Sequence, residues 1–223
     1  LNHHIKINNN EIPIDDKETF EMMQKGETIG VFQLESSGFR EVIARLKPDR
    51  FEDIIALVAM YRPGPLESGM VDTYIDVKNG LKSAVYEDPI LKEVLEETYG
   101  VILYQEQVMR IANLMAGFSL EESDNLRKAM GKKKPEIMAK YREQFISGSE
   151  KNGISAALAS SVYANIEKFA GYGFNKSHSA AYAMIAYRTA YLKCKYPEEY
   201  LCSLMACDIG NTDKLVGYID ECK

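Results

Sequence analysis

Residues 105–135 read QEQVMRIANLMAGFSLEESDNLRKAMGKKKP. Val108, Ile111, Ala112 and Met115 recur at i, i+3, i+4 and i+7, the spacing of one buried helical face. Ser119 is followed three residues later by Glu122, a capping box that opens a second helix. The last turn of that helix is loaded with Arg127, Lys128 and Lys132, and Pro135 begins a third. Cations at that end suit the helix dipole, and they equally suit phosphate. Helices joined by so few residues bury their apolar faces against one another, so the stretch predicts an all-α fold.

The pattern continues in both directions. Asp15 or Asp16 caps a short helix through Phe20, Met22 and Met23, ended by Gly26. Ser36 or Ser37 caps one carrying Phe39, Val42, Ile43 and Leu46, stopped by Pro48. Asp49 caps the next, with Phe51, Ile54, Ile55, Leu57 and Val58, and YRPGPLESG (61–69) breaks that run. Asp88-Pro89 starts a helix through Ile90, Leu91, Val94 and Leu95, and Gly100 ends it. Residues 135–150 and 155–170 read as two more helices. A long one runs from about Ser177 to Lys195, where Tyr196-Pro197 stops it, and two short ones finish the chain. TIGVFQLES (28–36) and VILY (101–104) are the candidates for a little extended structure, the latter as strand or buried turn.

The chain has 223 residues, 46% of them hydrophobic, enough to bury the core of one domain or two small ones. No window approaches 18 uninterrupted apolar residues, so no membrane partner is expected. Residues 1–10, LNHHIKINNN, have no signal-peptide core, which predicts a cytoplasmic protein; Leu1 is not Met, and a fragment of a longer chain is expected. Cys194, Cys202, Cys207 and Cys222 form no C-x-x-C pair and read as buried reduced thiols, with a zinc site as the alternative. No nucleophile with its base, P-loop or H-E-x-x-H is visible. The acid pairs Asp15-Asp16 and Glu52-Asp53 sit at helix starts, where capping accounts for them, and nothing converges as a two-metal site requires. Read alone, the chain is a binding module.

Its net charge of -6 hides an asymmetry. Residues 127–195 hold 13 Lys and Arg against 4 Asp and Glu, a net of +9 between acidic flanks. Such a block is the footprint expected under phosphates; the structural alternative is a solvated helical face. Inside it lies GYGFNKSHSA (171–180). Gly171 and Gly173 permit positive φ or close backbone approach. Tyr172 and Phe174 are suited to stacking on bases, Asn175 offers a donor and an acceptor, and Lys176 and His178 suit phosphates. Ser177 or Ser179 caps the following helix, whose N-terminus attracts anions. The alternative is a loop whose aromatics plug the core and whose polar residues cap a helix. Tyr182, Tyr187 and Tyr191 follow at helical spacing and read as core or interface.

Three long stretches carry a resemblance: FQLESSGFREVIARLKPDRFEDIIALVAMYRPGPLESGMVD, ETYGVILYQEQVMRIANLMAGFSLEESDNLRKAMGKKKPEIM and KFAGYGFNKSHSAAYAMIAYRTAYLKCKYPEEY. Together they resemble the fingers domain of the bacterial C-family replicative DNA polymerases, the DNA polymerase III alpha subunits, from about residue 12 to 223. The resemblance implies a lead-in that follows the palm (1–28) and a helical fingers domain (29–223). It implies that primer–template DNA and a deoxynucleoside triphosphate are the partners, with other domains of the same chain and the replicase holoenzyme. It places LRKAMGKKK against the triphosphate and DNA backbone, through Arg127, Lys128, Lys132 and Lys133, with Lys134 alongside. GYGFNKSHS would line the nascent base-pair pocket, through Tyr172, Asn175, Lys176 and His178. Arg62 in YRPGP and Gln105 in YQEQVM belong to motifs near the cleft. Lys128 stands where the family commonly has arginine, so a point charge replaces a bidentate fork. The family's magnesium ions are held by palm aspartates upstream, so no cofactor is expected on this segment and alone it is expected not to polymerise. The competing expectation is an all-helical interaction module whose basic face binds an acidic protein.

Overall fold

Helices here begin where a side chain takes up their free N–H groups. Asp16 accepts from the Thr19 N–H at 2.9 Å, Ser36 from Phe39 at 3.3 Å, Asp88 from Ile90 at 2.8 Å and Ser155 from Leu158 at 3.3 Å. The Ser119 box closes both ways: Ser119 N–H to Glu122 at 2.8 Å, and Glu122 N–H to Ser119 Oγ at 3.2 Å. The computed structural model describes residues 11–132, 135–170 and 173–222. In chain order the helices are α1 (Lys17–Gln24), α2 (Ser37–Leu46), α3 (Phe51–Met60), α4 (Pro63–Glu67), α5 (Met70–Lys78), α6 (Pro89–Leu95), α7 (Gln105–Ala116), α8 (Leu120–Lys132), α9 (Pro135–Lys151), α10 (Ala156–Phe169), α11 (Lys176–Lys195), α12 (Pro197–Cys207) and α13 (Thr212–Glu221). A 3-10 turn, Glu96–Thr98, follows α6. No strand occurs among the described residues; an isolated parallel bridge joins Tyr104 and Phe174. The all-α expectation is borne out. No described helix is long and apolar enough to cross a membrane.

One local expectation is corrected and two others are made specific. Residues 28–36 are successive turns rather than an extended piece. Gly30 (φ 76) and Gln33 (φ 66) turn the chain so that Val31 and Leu34 are both buried, and Thr28 Oγ1 donates to the Leu34 carbonyl at 2.7 Å. Residues 101–104 make no strand either. Leu103 and Tyr104 are buried, and their N–H groups donate to the Gln107 side chain at 2.8 and 2.9 Å. The proline motif does interrupt α3 after Met60, but Pro63 then occupies the first turn of α4, where its missing N–H costs nothing.

The chain divides into two compact units, Ala59–Ser179 and the residues on either side of it. In the flanking unit Tyr187 is fully buried, its ring 5.4 Å from Phe20 and edge-on to Phe51 at 6.0 Å, and its hydroxyl accepts the Asp16 N–H at 2.8 Å. Lys193, only 6% exposed, donates to the carbonyls of Glu27 and Ile29 and pairs with Glu221, partners a buried ammonium requires. Of the four cysteines, all free, Cys194 is half-buried and the other three are exposed, which corrects the expectation of buried thiols. Cys202 and Cys207 lie on α12 and Cys222 just past α13, short helices that bury little, so apolar periodicity overstated their burial.

In the unit Ala59–Ser179, α7 is the central element. Val108, Ile111, Ala112 and Met115 are fully buried, packed with Leu126 and Met130 of α8, Phe145 of α9, and Val162, Tyr163 and Ile166 of α10. Gly148 lets α9 cross α7 closely: a Cβ there would lie 2.2 Å from the Ala116 carbonyl oxygen. Asn152 then donates to the Met115 carbonyl at 2.9 Å, satisfying the end of α7. This packing holds the N-terminus of α7 in place, and the candidate site is built around it.

Candidate functional site at the start of α7

The first three residues of α7 each hold a different neighbour. The Gln105 N–H donates to the Phe174 carbonyl at 2.9 Å, and its side chain to the Gly173 carbonyl at 3.4 Å. The Glu106 carboxylate accepts from Asn175 Nδ2 at 2.9 Å and from the Lys176 N–H at 3.0 Å. Gln107, 7% exposed, takes the N–H groups of Leu103 and Tyr104 and donates to Thr98 Oγ1 at 2.7 Å. The segment 173–176 is thereby strapped across the helix start. Gly173 permits the approach: a Cβ would sit 2.9 Å from the Phe169 ring and 3.3 Å from Gln105 Cγ.

Five more sequence-predicted residues join Gln105 at this strap. The Arg62 guanidinium lies over the Phe174 ring at 4.3 Å and donates to the Ala59 carbonyl at 2.9 Å; burial pulls its pKa below the usual guanidinium value. His178 meets the same ring edge-on at 5.4 Å. Phe174 is therefore flanked by a cation and an imidazole. Arg127 reaches Gln105 Oε1 at 3.4 Å, tying α8 to the strap. Lys176 pairs with Glu97 at 2.6 Å, with its ammonium 5.4 Å from the Tyr104 ring. Asn175 closes the group, and it carries a correction. Asn175, not Ser177 or Ser179, caps α11, its Oδ1 accepting the His178 N–H at 2.9 Å. Asn175 lies one residue before the helix, the position from which a short side chain reaches the third N–H, whereas Ser179 is already inside and fully buried.

Lys128 sits one step further along α8. Both it and Arg127 pair with Asp124, at 2.7 and 2.8 Å. The Lys128 hydrogen bond and then the Arg127 one hold the Asp124 carboxyl below the usual carboxylate range. Arg142 pairs with Glu167, Lys193 with Glu221, and Lys195 with Asp16 and Glu18. The basic block is thus less of a bare face than its count of +9 implies, because acids near and far in sequence fold onto it. Tyr172, Lys133, Lys134 and the Lys132 side chain lie outside the described residues.

Sequence reasoning missed Glu106, Glu97 and Asp124. Asp124 was visible as the i−3 and i−4 neighbour of Arg127 and Lys128. Glu97 and Glu106 act 79 and 70 residues away, and no local period signals that. The described residues gather no three His, Cys, Asp or Glu side chains able to hold a metal ion.

Comparison with known proteins bears on what this arrangement belongs to. The family model of the bacterial DNA polymerase III alpha subunit finger domain matches residues 1–153. DNA polymerase III subunit alpha of Escherichia coli (strain K12) is 58% identical over 216 residues, 95% of this chain. The Vibrio cholerae serotype O1 protein of the same name is 57% identical over 217 residues, and that of Campylobacter jejuni 54% over 212. The chain spans 19% of the length of the first two relatives and 18% of the third. Matched by the finger-domain model over more than half its length and by these relatives over nearly all of it, the chain belongs to the bacterial DNA polymerase III alpha subunit family and carries its finger domain.

Proposed function

We propose that this segment, within a longer polymerase chain, positions the incoming deoxynucleoside triphosphate and the primer–template end for template-directed DNA synthesis. The observation that carries the reading is the convergence of Arg62, Gln105, Arg127, Lys176 and His178 on one strap at the start of α7. Phosphoryl transfer asks the protein mostly for positioning and for stabilisation of charge on the phosphoryl oxygens. Magnesium ions supply Lewis-acid charge in such reactions, and on this reading residues elsewhere in the longer chain hold them. This chain's cations have a different task.

Arg127, Lys128 and Lys176 are 32%, 55% and 37% exposed and held by carboxylates. Ion pairs of that exposure are screened by solvent and contribute little. A triphosphate carries several charges, so it can take over these cations from Asp124 and Glu97 at small cost. The carboxylates keep the cations aimed while the site waits. Arg62 and His178 flank Phe174, leaving that ring to define one wall of the base-pair pocket.

The test is single-turnover incorporation on a primer–template by the polymerase chain that carries this segment. Lys176→Ala and His178→Ala should weaken apparent nucleotide affinity more than DNA affinity. Equal small losses in both would return the strap to a capping role. Binding to primed DNA should also weaken steeply with salt, and indifference to salt would refute the phosphate contacts.

A further inference from the structure

Glu106 is the second residue of α7, is half-buried, and sends its carboxylate across to another helix rather than along its own. Oε1 accepts from Asn175 Nδ2 at 2.9 Å and from the Lys176 N–H at 3.1 Å, and Oε2 accepts from the same N–H at 3.0 Å. With its amide nitrogen committed to Glu106, Asn175 has only one orientation that also caps α11, the one placing Oδ1 on the His178 N–H. One carboxylate therefore fixes the amide, the cap and the first N–H of α11. Hydrogen bonds to a charged acceptor are the shorter and stronger kind, and a carboxylate is favoured at both helix starts it touches.

The remaining contacts of the strap do not duplicate this. Gln105 holds the carbonyls of Gly173 and Phe174, upstream of the cap, and the Lys176 ammonium answers to Glu97. Without Glu106, the Lys176 N–H and Asn175 Nδ2 lose their acceptor, and the bond to the His178 N–H is left to orient the amide. The cap of α11 would then loosen while the strap upstream stayed attached.

We propose that Glu106 is a positioning residue for nucleotide selection: acting through Asn175, it sets the register in which Lys176 and His178 meet the incoming triphosphate. The proposal rests on the reading that the strap borders the nucleotide. A shift of about 1 Å in such groups suffices for large losses in rate or affinity.

The experiment compares Glu106→Ala, Glu106→Gln, Asn175→Asp, the double variant Glu106→Gln with Asn175→Asp, and Lys176→Ala, all in the polymerase chain carrying this segment. Single-turnover incorporation gives apparent nucleotide affinity and maximal rate, filter binding gives primer–template affinity, and thermal melting reports the fold. Glu106→Ala should weaken nucleotide affinity roughly tenfold, with primer–template affinity and melting nearly unchanged. Asn175→Asp alone sets two carboxylates side by side and should lose as much. In the double variant the amide introduced at position 106 donates to the carboxylate introduced at position 175 and accepts from the Lys176 N–H. That new carboxylate in turn caps the His178 N–H, so each donor regains an acceptor. Nucleotide affinity should return to within about threefold of the parent.

A double variant no better than the singles would overturn the proposal. So would a Glu106→Ala protein that loses stability and binds nucleotide and DNA equally badly, which marks a structural role alone. If Lys176→Ala weakens nucleotide affinity and Glu106→Ala does not, the proposal fails and the site reading stands. If neither changes it, the site reading fails and takes the proposal with it.

Discussion

Replacing Gly148 with alanine tests the packing that holds α7 where the site needs it. The added Cβ would lie 2.2 Å from the Ala116 carbonyl oxygen, 3.1 Å from its carbon and 3.2 Å from its Cα. Carbon and oxygen need well over 3 Å, so α9 must move about 1 Å away from α7. The obstacle is backbone at the last residue of α7, held by the hydrogen bonds that Gly117 and Phe118 make to the turn before it, and Met115, Phe118 and Phe145 belong to the buried core of the same unit. Overpacking a core costs about 1–3 kcal/mol, and the rigid neighbour puts this case at the upper end. Exchanging a helical glycine for alanine returns about 1 kcal/mol of propensity. The net is a loss of about 2 kcal/mol, or a melting temperature lower by about 4–8 °C for a chain of this size. Circular dichroism melting at neutral pH measures it. Gly217 in α13 is the control, since nothing lies within 4 Å of its Cβ position and alanine there should stabilise by about 0.5–1 kcal/mol. A Gly148→Ala protein melting at or above the parent, alongside a stabilised Gly217→Ala, would refute the close α7–α9 crossing.

Gln107→Leu should destabilise by about 2–4 kcal/mol, because the buried N–H groups of Leu103 and Tyr104 lose the oxygen that serves both. Urea denaturation checks the size, and faster hydrogen exchange at those two amides checks the cause. Alkali should destabilise the flanking unit. Burial pushes Tyr187, Tyr200 and Tyr218 up to about 12. The folded chain then keeps phenolic protons that the unfolded chain releases near pH 10, so this stability is whole below about pH 10 and falls as pH rises toward 12. A urea midpoint unchanged between pH 9 and pH 11 would contradict it.

The helices were legible because their signals are local. Apolar residues three and four apart marked the buried face of α7, the Ser119–Glu122 box marked the start of α8, Pro89 the start of α6, and Tyr196-Pro197 the end of α11. What escaped was decided at long range. Residues 28–36 carry strand-like residue types, yet Gly30 and the positive φ of Gln33 turn them into a knot of turns around Val31 and Leu34. The candidate site was legible as a set of cations and a glycine–aromatic loop. It was not legible as a balanced network, because Glu97 and Glu106 reach it from 79 and 70 residues away. Asn175 shows the limit most plainly: its type fits a base edge and a helix cap equally well, and Glu106 commits it to the cap.

The most direct measurement places the triphosphate itself. A deoxynucleoside triphosphate carrying a photoreactive group on its γ-phosphate would be bound to the polymerase chain on a primer–template, irradiated, and the labelled peptides mapped. Label is expected within residues 105–128 and 173–178, and only when the base complements the template. Label confined to other parts of the chain, or independent of the template base, would contradict the assignment of this strap to the incoming nucleotide.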